Sequence, residues 1–313
     1  MPFLLNPYGR MVAISDNKQY EQFLKTPGFT KPTIEQEREH VKERMAMVNK
    51  MKNVEVADKG IYFSTVSKGG KDGYSIAGTL LMRELDKLGV ICRPYYTGQK
   101  VAILFHNPYS ITRIEAPYRI IYTMFESDKI PDDWVDYLLA ADKVIVPSKW
   151  CKNIFGKAGV IAEAIPLGYD DTLFIYKARD NKAKLNQAYT FLHYNAFNIR
   201  KGFPEVFRAF TKEFRKDEPV KMIFKTTLEQ IPLPITTREY PNIEIITGKA
   251  NDKELLDIIH RSDCFVFPSR GEGFGITPLE AMATGMPAIV PNAHGITEYF
   301  NKDFMYEVKV KEK

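Results

Sequence analysis

The chain has 313 residues, 44% of them hydrophobic and 27% charged, and 44 basic against 39 acidic side chains give a net charge of +5. That length suits two domains of ordinary size, and the apolar share is that of a globular protein with a good core. The basic excess is spread along the chain rather than gathered into a stripe with interleaved aromatics. This argues against nucleic-acid binding, suits the handling of anionic phosphates and is compatible with peripheral contact with an anionic membrane. No apolar run approaches the ~20 residues that cross a bilayer, and Met1-Pro2-Phe3-Leu4-Leu5 lacks the basic start and long apolar core of a secretory signal. Cys92, Cys151 and Cys264 are scattered, which implies neither a disulfide framework nor a zinc site. A reducing cytoplasm is the expected location.

Residues 1–55 read as an appendage. A short strand is expected at residues 10–14, Pro27 and Pro32 interrupt the chain, and residues 33–52 predict a charged helix. Its Val41, Met45 and Val48 make a sparse apolar stripe that covers little core. A solvated segment is the plainer reading, with docking or a membrane surface as the functional one.

From residue 61 the pattern alternates strand and helix, the mark of a parallel α/β sheet. Strands are predicted at residues 61–66, 101–105, 119–124 and 143–146. Helices are predicted at 76–88, closed by Gly89, and at 132–141 and 149–157. A second series has strands at 190–194, 221–225, 243–246, 265–267 and 288–290 with helices between them. The polar stretch 171–186 is the expected hinge. The domains are therefore 1–55 (appendage), 56–180 and 181–313.

Four loops carry candidate chemistry. Gly69, Gly70 and Gly73 follow the first strand of the α/β series, where glycine lets a backbone approach a ligand closely. Residues 122–131 contain Glu126-Ser127-Asp128, which resembles an acidic metal motif of the GT-A glycosyltransferase fold, yet no His or third carboxylate stands at suggestive spacing. Arg200-Lys201-Gly202 precedes a helix, and a guanidinium with an ammonium at that point can neutralise a diphosphate, unless the loop is merely exposed and basic. His106, at a strand end, is a candidate acceptor contact, whereas His193, inside a strand, reads as a core residue.

The fourth loop is the most informative. The apolar run Cys264-Phe265-Val266-Phe267-Pro268 leads into Ser269-Arg270-Gly271-Glu272-Gly273-Phe274-Gly275-Ile276 and then a helix. Thr277 is the expected N-cap, Pro278 the first helical residue and Gly285 the stop. Strand, glycine loop and helix N-terminus form an anion cradle, in which the N–H groups of Gly273, Phe274, Gly275 and Ile276 face a phosphate. Glu272 and Glu280, with seven residues between them, are carboxylates able to accept hydrogen bonds from hydroxyls. Phosphates held by backbone and hydroxyls held by carboxylates suggest a nucleotide-sugar site. An ordinary turn with solvated glutamates is the bland alternative.

Residues 268–287, with Glu-Gly-Phe-Gly, Leu-Glu-Ala-Met-Ala and Gly-x-Pro in order, resemble the glutamate–seven–glutamate signature of the retaining glycosyltransferases of family 4. The resemblance runs from about residue 61 to residue 298. It implies the GT-B fold: two Rossmann-like domains with parallel sheets facing a cleft. It also implies metal-independent transfer of a hexose, with retention, from a nucleotide-diphosphate donor to an acceptor hydroxyl on a glycan, lipid, protein or small molecule. No further cofactor is implied. On this resemblance Lys201 and Arg200 stabilise the leaving diphosphate, Glu272 holds sugar hydroxyls, and Glu280 holds the ribose. Glu126 is the cleft carboxylate, and the Gly69–Gly70–Gly73 loop borders donor and acceptor. The implied mechanism is front-face attack.

Three departures stand out. The family's Arg six residues before the lysine is Asn195 here, and Arg200 is expected to take its task. Many relatives carry a His near the position of Phe125–Glu126, while other members carry an acidic Glu-x-Asp much as here, which makes Glu126 the expected cleft carboxylate. Members also usually continue well past the position of Glu298, whereas only residues 299–313 follow here, so the C-terminal part is expected to be short, with residues 1–55 or another subunit filling the gap. A non-catalytic nucleotide-sugar or glycan-binding protein and a metal-dependent GT-A transferase are the alternatives.

Overall fold

The computed structural model describes residues 60–66, 73–179, 187–229 and 239–310, together with short stretches before residue 40. Gly69 and Gly70 lie outside the described residues. So do Val41, Met45 and Val48 of the charged helix, which is described as helical only at residues 34–36 and 39. Near the N-terminus β1 (Phe3–Leu5) pairs antiparallel with β2 (Met11–Ala13). The chain divides into two compact units: Met1–Met124 with Asp128–Ile165, and Phe125–Ser127 with Pro166–Lys313.

The first unit holds a six-stranded sheet. Its strands are β3 (Gly60–Thr65), β4 (Ile91–Arg93), β5 (Val101–Phe105), β6 (Tyr118–Tyr122), β7 (Lys143–Val146) and β8 (Glu163–Ala164). All pairs are parallel and the spatial order is β4-β3-β5-β6-β7-β8. The helices are α1 (Gly73–Lys87), α2 (Trp134–Leu139) and α3 (Lys149–Lys157). The Ser148 side chain accepts a hydrogen bond from Cys151 N at 3.1 Å and so caps α3. Helix α1 starts three residues before the predicted 76, because Gly73, Tyr74 and Ser75 already form its first turn. Tyr74 supplies a reason: its hydroxyl lies 3.1 Å from Thr123 Oγ1 and donates to Met124 O at 3.0 Å, anchoring that turn to the end of β6. Gly73 is thus helical rather than part of the loop, and a Cβ there would meet nothing within 4 Å.

The second unit holds β9 (Tyr189–Tyr194), β10 (Val220–Lys225), β11 (Ile243–Ile246), β12 (Cys264–Val266), β13 (Ala288–Val290) and β14 (Met305–Glu307). They too are all parallel, in the order β11-β10-β9-β12-β13-β14. Counted from β9 this is 3-2-1-4-5-6, the Rossmann order, whose ligand crevice lies beyond the carboxyl ends of the two strands where the order reverses. Here those strands are β9 and β12. Strand β14, which the sequence reading did not foresee, adds Met305–Glu307 to the edge of the sheet.

Period-two alternation builds two cores. Leu192, Ile223 and Phe265 pack with Ile258 and Ile259 of α5 (Asp252–His260) and Ala281 of α6 (Ile276–Ala283). Phe191, Met222 and Phe224 instead pack with Phe203, Val206 and Phe210 of α4 (Phe203–Glu213). Asn251 and Glu254 close a reciprocal capping box on α5, with Glu254 N to Asn251 Oδ1 at 3.0 Å and Asn251 N to Glu254 Oε2 at 2.8 Å.

Candidate functional site

Both loops at the strand reversal of the second sheet carry predicted residues. After β9, Asn198 accepts from Lys201 N at 3.0 Å and shapes a short 3-10 turn, Ile199–Lys201. Gly202 then takes φ 81° and opens α4. After β12 the chain runs through Ser269 to Gly275, whose φ of 81° makes it the N-cap of α6. The predicted N-cap, Thr277, lies inside the helix instead. Gly275 reaches the left-handed conformation without a Cβ penalty and turns the chain before Thr277 is reached. Gly285 does end the helix, in the left-handed region.

The two loops meet at Glu272, which is buried at 6% exposure. Its Oε1 accepts from Lys201 Nζ at 2.7 Å, Arg200 Nη1 at 3.0 Å and Ser269 Oγ at 2.5 Å. Among the described residues Oε2 takes no hydrogen bond or ion pair. Arg200 also donates to Gly271 O at 2.5 Å and lies 3.7 Å from Glu126 Oε1, so Glu126 joins the cluster through the guanidinium. Burial lowers the Lys201 pKa, the Glu272 charge opposes that shift and the neighbouring Arg200 adds to it. The ammonium also lies 5.0 Å from the centre of the Phe267 ring. With one proton directed at Glu272, its two remaining donors bond to nothing else among the described residues.

Glu280 sits in the first turns of α6, buried at 8% exposure, with no hydrogen bond or ion pair among the described residues. Burial, reinforced by the charge of Asp170, raises its pKa from the ordinary 4.5 to about 7. Asp170 itself holds Thr172, accepting from its N at 3.1 Å and its hydroxyl at 2.6 Å.

Asn195, at the end of β9, is buried, and its Nδ2 has no partner among the described residues. His193 is a core residue. Its Nδ1 lies 2.8 Å from Val266 O, its ring packs between Phe203 and Phe224, and burial lowers its pKa to about 4. In the first unit, His106 Nε2 lies 3.0 Å from Ser64 Oγ and Nδ1 lies 2.6 Å from Asn107 O, and burial lowers its pKa. That pair stands where β3 and β5 meet, the reversal point of the first sheet.

Sequence reasoning passed over Ser269, Asp170 and Tyr299, and treated Asn195 only as a missing arginine. Ser269 left a signal, a hydroxyl three residues before a carboxylate in a tight loop. Asp170 and Tyr299 left none, since their placement depends on packing with distant segments. No group of three His, Cys, Asp or Glu side chains among the described residues could hold a metal ion, and no described helix is long and apolar enough to cross a membrane.

Comparison with known proteins bears on this geometry. Residues 175–310 match the family model described as "Glycosyl transferases group 1". The "Putative glycosyltransferase ORF313" of Acidianus filamentous virus 1 is 28% identical over 69% of this chain and 65% of its own length. The mannosylfructose-phosphate synthase of Agrobacterium fabrum is 26% identical over 42% of this chain and 32% of its own. The chain thus spans less than two thirds of either relative. Among solved structures, Anabaena Alr3699/HepE, crystallised with UDP, aligns with a TM-score of 0.57 at 14% identity, over 79% of this chain and 85% of that one. Residues 175–310 accordingly match the glycosyl transferases of group 1, and the two all-parallel sheets have the architecture of the GT-B fold.

Proposed function

We propose that this protein is a retaining, metal-independent glycosyltransferase that moves a hexose from a nucleotide-diphosphate donor to an acceptor hydroxyl. The observation that carries the reading is the convergence of Arg200, Lys201 and Ser269 on one oxygen of buried Glu272, at the strand reversal of a Rossmann sheet. The match of residues 175–310 to group 1 glycosyl transferases supports the activity, and the mannosylfructose-phosphate synthase of Agrobacterium fabrum among the relatives supports a hexosyl donor.

In this reading the three donors lock the Glu272 carboxylate by Oε1, which leaves Oε2 to accept from donor-sugar hydroxyls. The two open protons of Lys201, with Arg200, face the leaving diphosphate. They stabilise charge that grows as the glycosidic bond to phosphate breaks, where preorganised donors in a dry site act most strongly. The N–H groups from Gly273 to Ile276 and the amino end of α6 complete the diphosphate seat. Glu280 accepts from the ribose diol. Glu126 is the carboxylate beside Arg200 that faces the reacting sugar. The acceptor hydroxyl attacks on the face from which the diphosphate leaves, and a phosphate oxygen takes its proton, which accounts for retention without a protein nucleophile.

The test is turnover of UDP-, GDP- and ADP-hexoses by the wild type and Glu272→Ala, with the anomer of the product read by NMR. Release of nucleoside diphosphate from one donor, lost in Glu272→Ala, is expected, with the product keeping the donor configuration. Binding of a nucleotide sugar with no turnover of any donor would instead favour the non-catalytic binding protein.

A further inference from the structure

Behind the glycine loop lies a second layer, the 3-10 turn His294–Glu298 and the residue that follows it, Tyr299. Three contacts join them. Gly295 N donates to Glu272 O at 2.8 Å. A Cβ on Gly295 would overlap the Gly273 carbonyl, so the two backbones are in direct contact. The Tyr299 hydroxyl donates to Gly275 O, and its ring packs on Phe274 with centroids 5.3 Å apart. His294 is held at φ 57°, the only non-glycine positive φ among the described residues, a strained conformation that the surrounding contacts must maintain. Burial, with the charges of Glu272 and Glu280 nearby, holds the Tyr299 phenol well above its ordinary pKa, so it remains a donor.

A planar trans peptide points its C=O and its N–H in opposite directions. Holding Gly275 O from behind therefore aims the N–H of Ile276 away from Tyr299. That N–H opens α6 and takes no hydrogen bond among the described residues. Gly275 has no Cβ and lies at φ 81°, so the peptide after it can turn over at little steric cost. The Gly295 bond to Glu272 O orients the 272–273 peptide in the same manner.

We propose that Tyr299 is a positioning residue, whose hydroxyl fixes the 275–276 peptide so that the Ile276 N–H faces the donor diphosphate. The inference rests on the donor-site reading given above. Its ligand is the diphosphate group alone and not the base or ribose, and this separates it from general stabilisation of the fold.

The experiment is titration calorimetry of UDP, GDP and ADP beside uridine, guanosine and adenosine, on the wild type and Tyr299→Phe. The wild type should bind at least one diphosphate more tightly than its nucleoside, and failure to do so overturns the donor-site reading and this inference with it. Tyr299→Phe keeps the ring on Phe274. It should weaken the diphosphate roughly fivefold to tenfold, about the worth of one neutral hydrogen bond, and leave the nucleoside unchanged. Equal weakening of both ligands means a merely structural tyrosine, and no weakening means a phosphate site indifferent to the hydroxyl; either result overturns the inference. If Tyr299→Phe does not fold, 3-fluorotyrosine at 299 serves, since its more acidic hydroxyl should tighten the diphosphate alone. An unchanged diphosphate affinity in that protein overturns the proposal.

Discussion

Lys201 Nζ and Glu272 Oε1 lie 2.7 Å apart although they are 71 positions apart in the chain, and their side chains are 13% and 8% exposed. The pair joins the loops after β9 and β12, adjacent strands in the sheet. Burial lowers the lysine pKa, and the carboxylate beside it opposes that shift.

Lys201→Ala should therefore act on the chemical step. Removing a charge that stabilises the departing diphosphate is expected to cost roughly 2–4 kcal/mol of transition-state stabilisation. Steady-state kinetics should show kcat falling more than donor KM rises. An unchanged kcat would reduce Lys201 to a structural partner of Glu272.

Glu280 sets a pH dependence. Its folded pKa of about 7 lies above the ordinary 4.5, so between these values the folded state binds more protons than the unfolded one. Stability from this group is complete below about pH 4.5 and is lost as pH rises toward 7. Binding runs the other way, because a ribose diol donates to the ionised carboxylate. Nucleotide affinity should rise with pH through about 7, with Asp170, Tyr194 and Tyr299 as the neighbouring titratable groups. Glu280→Gln should flatten both profiles, and persistence of the affinity rise in that variant would assign it elsewhere.

Asn195 is buried at the end of β9, and its Nδ2 lacks a partner among the described residues. Such a donor fits an acceptor oxygen on the ligand. Asn195→Asp, which sets a carboxylate against a diphosphate, should weaken UDP, GDP or ADP binding more than Asn195→Ala. Equal effects from the two variants would indicate that the amide faces no anion.

Gly202 combines φ 81° with close contact: a Cβ there would lie 2.8 Å from Pro268 O and from its Cγ. Gly202→Ala should cost about 1–2 kcal/mol for the left-handed backbone and more for the contact. Denaturant unfolding measures it, and a loss below that range would show that the Ile199–Lys201 turn relaxes freely.

Metal independence is checked by turnover in excess EDTA, with and without Mn²⁺. Activity is expected to survive. Loss with EDTA and recovery with Mn²⁺ would make Glu126 and Asp128 metal ligands.

The sequence by itself determined the strand–helix alternation and the segment from Cys264 to Gly285, because both are local. Alternating apolar residues make a strand wherever they lie, and a glycine run followed by a helix opens one wherever it falls. Even there the local signal erred by two or three residues: the left-handed Gly275, not Thr277, caps α6, and Tyr74 draws Gly73 into α1. Tertiary structure alone decided the strand order, and the order puts β9 beside β12, and so Arg200 and Lys201 on Glu272. It also decided which polar groups lose water. Glu280, Asn195 and the Tyr299 hydroxyl acquire their character from burial against segments distant in the chain, and desolvation leaves no trace in residue spacing.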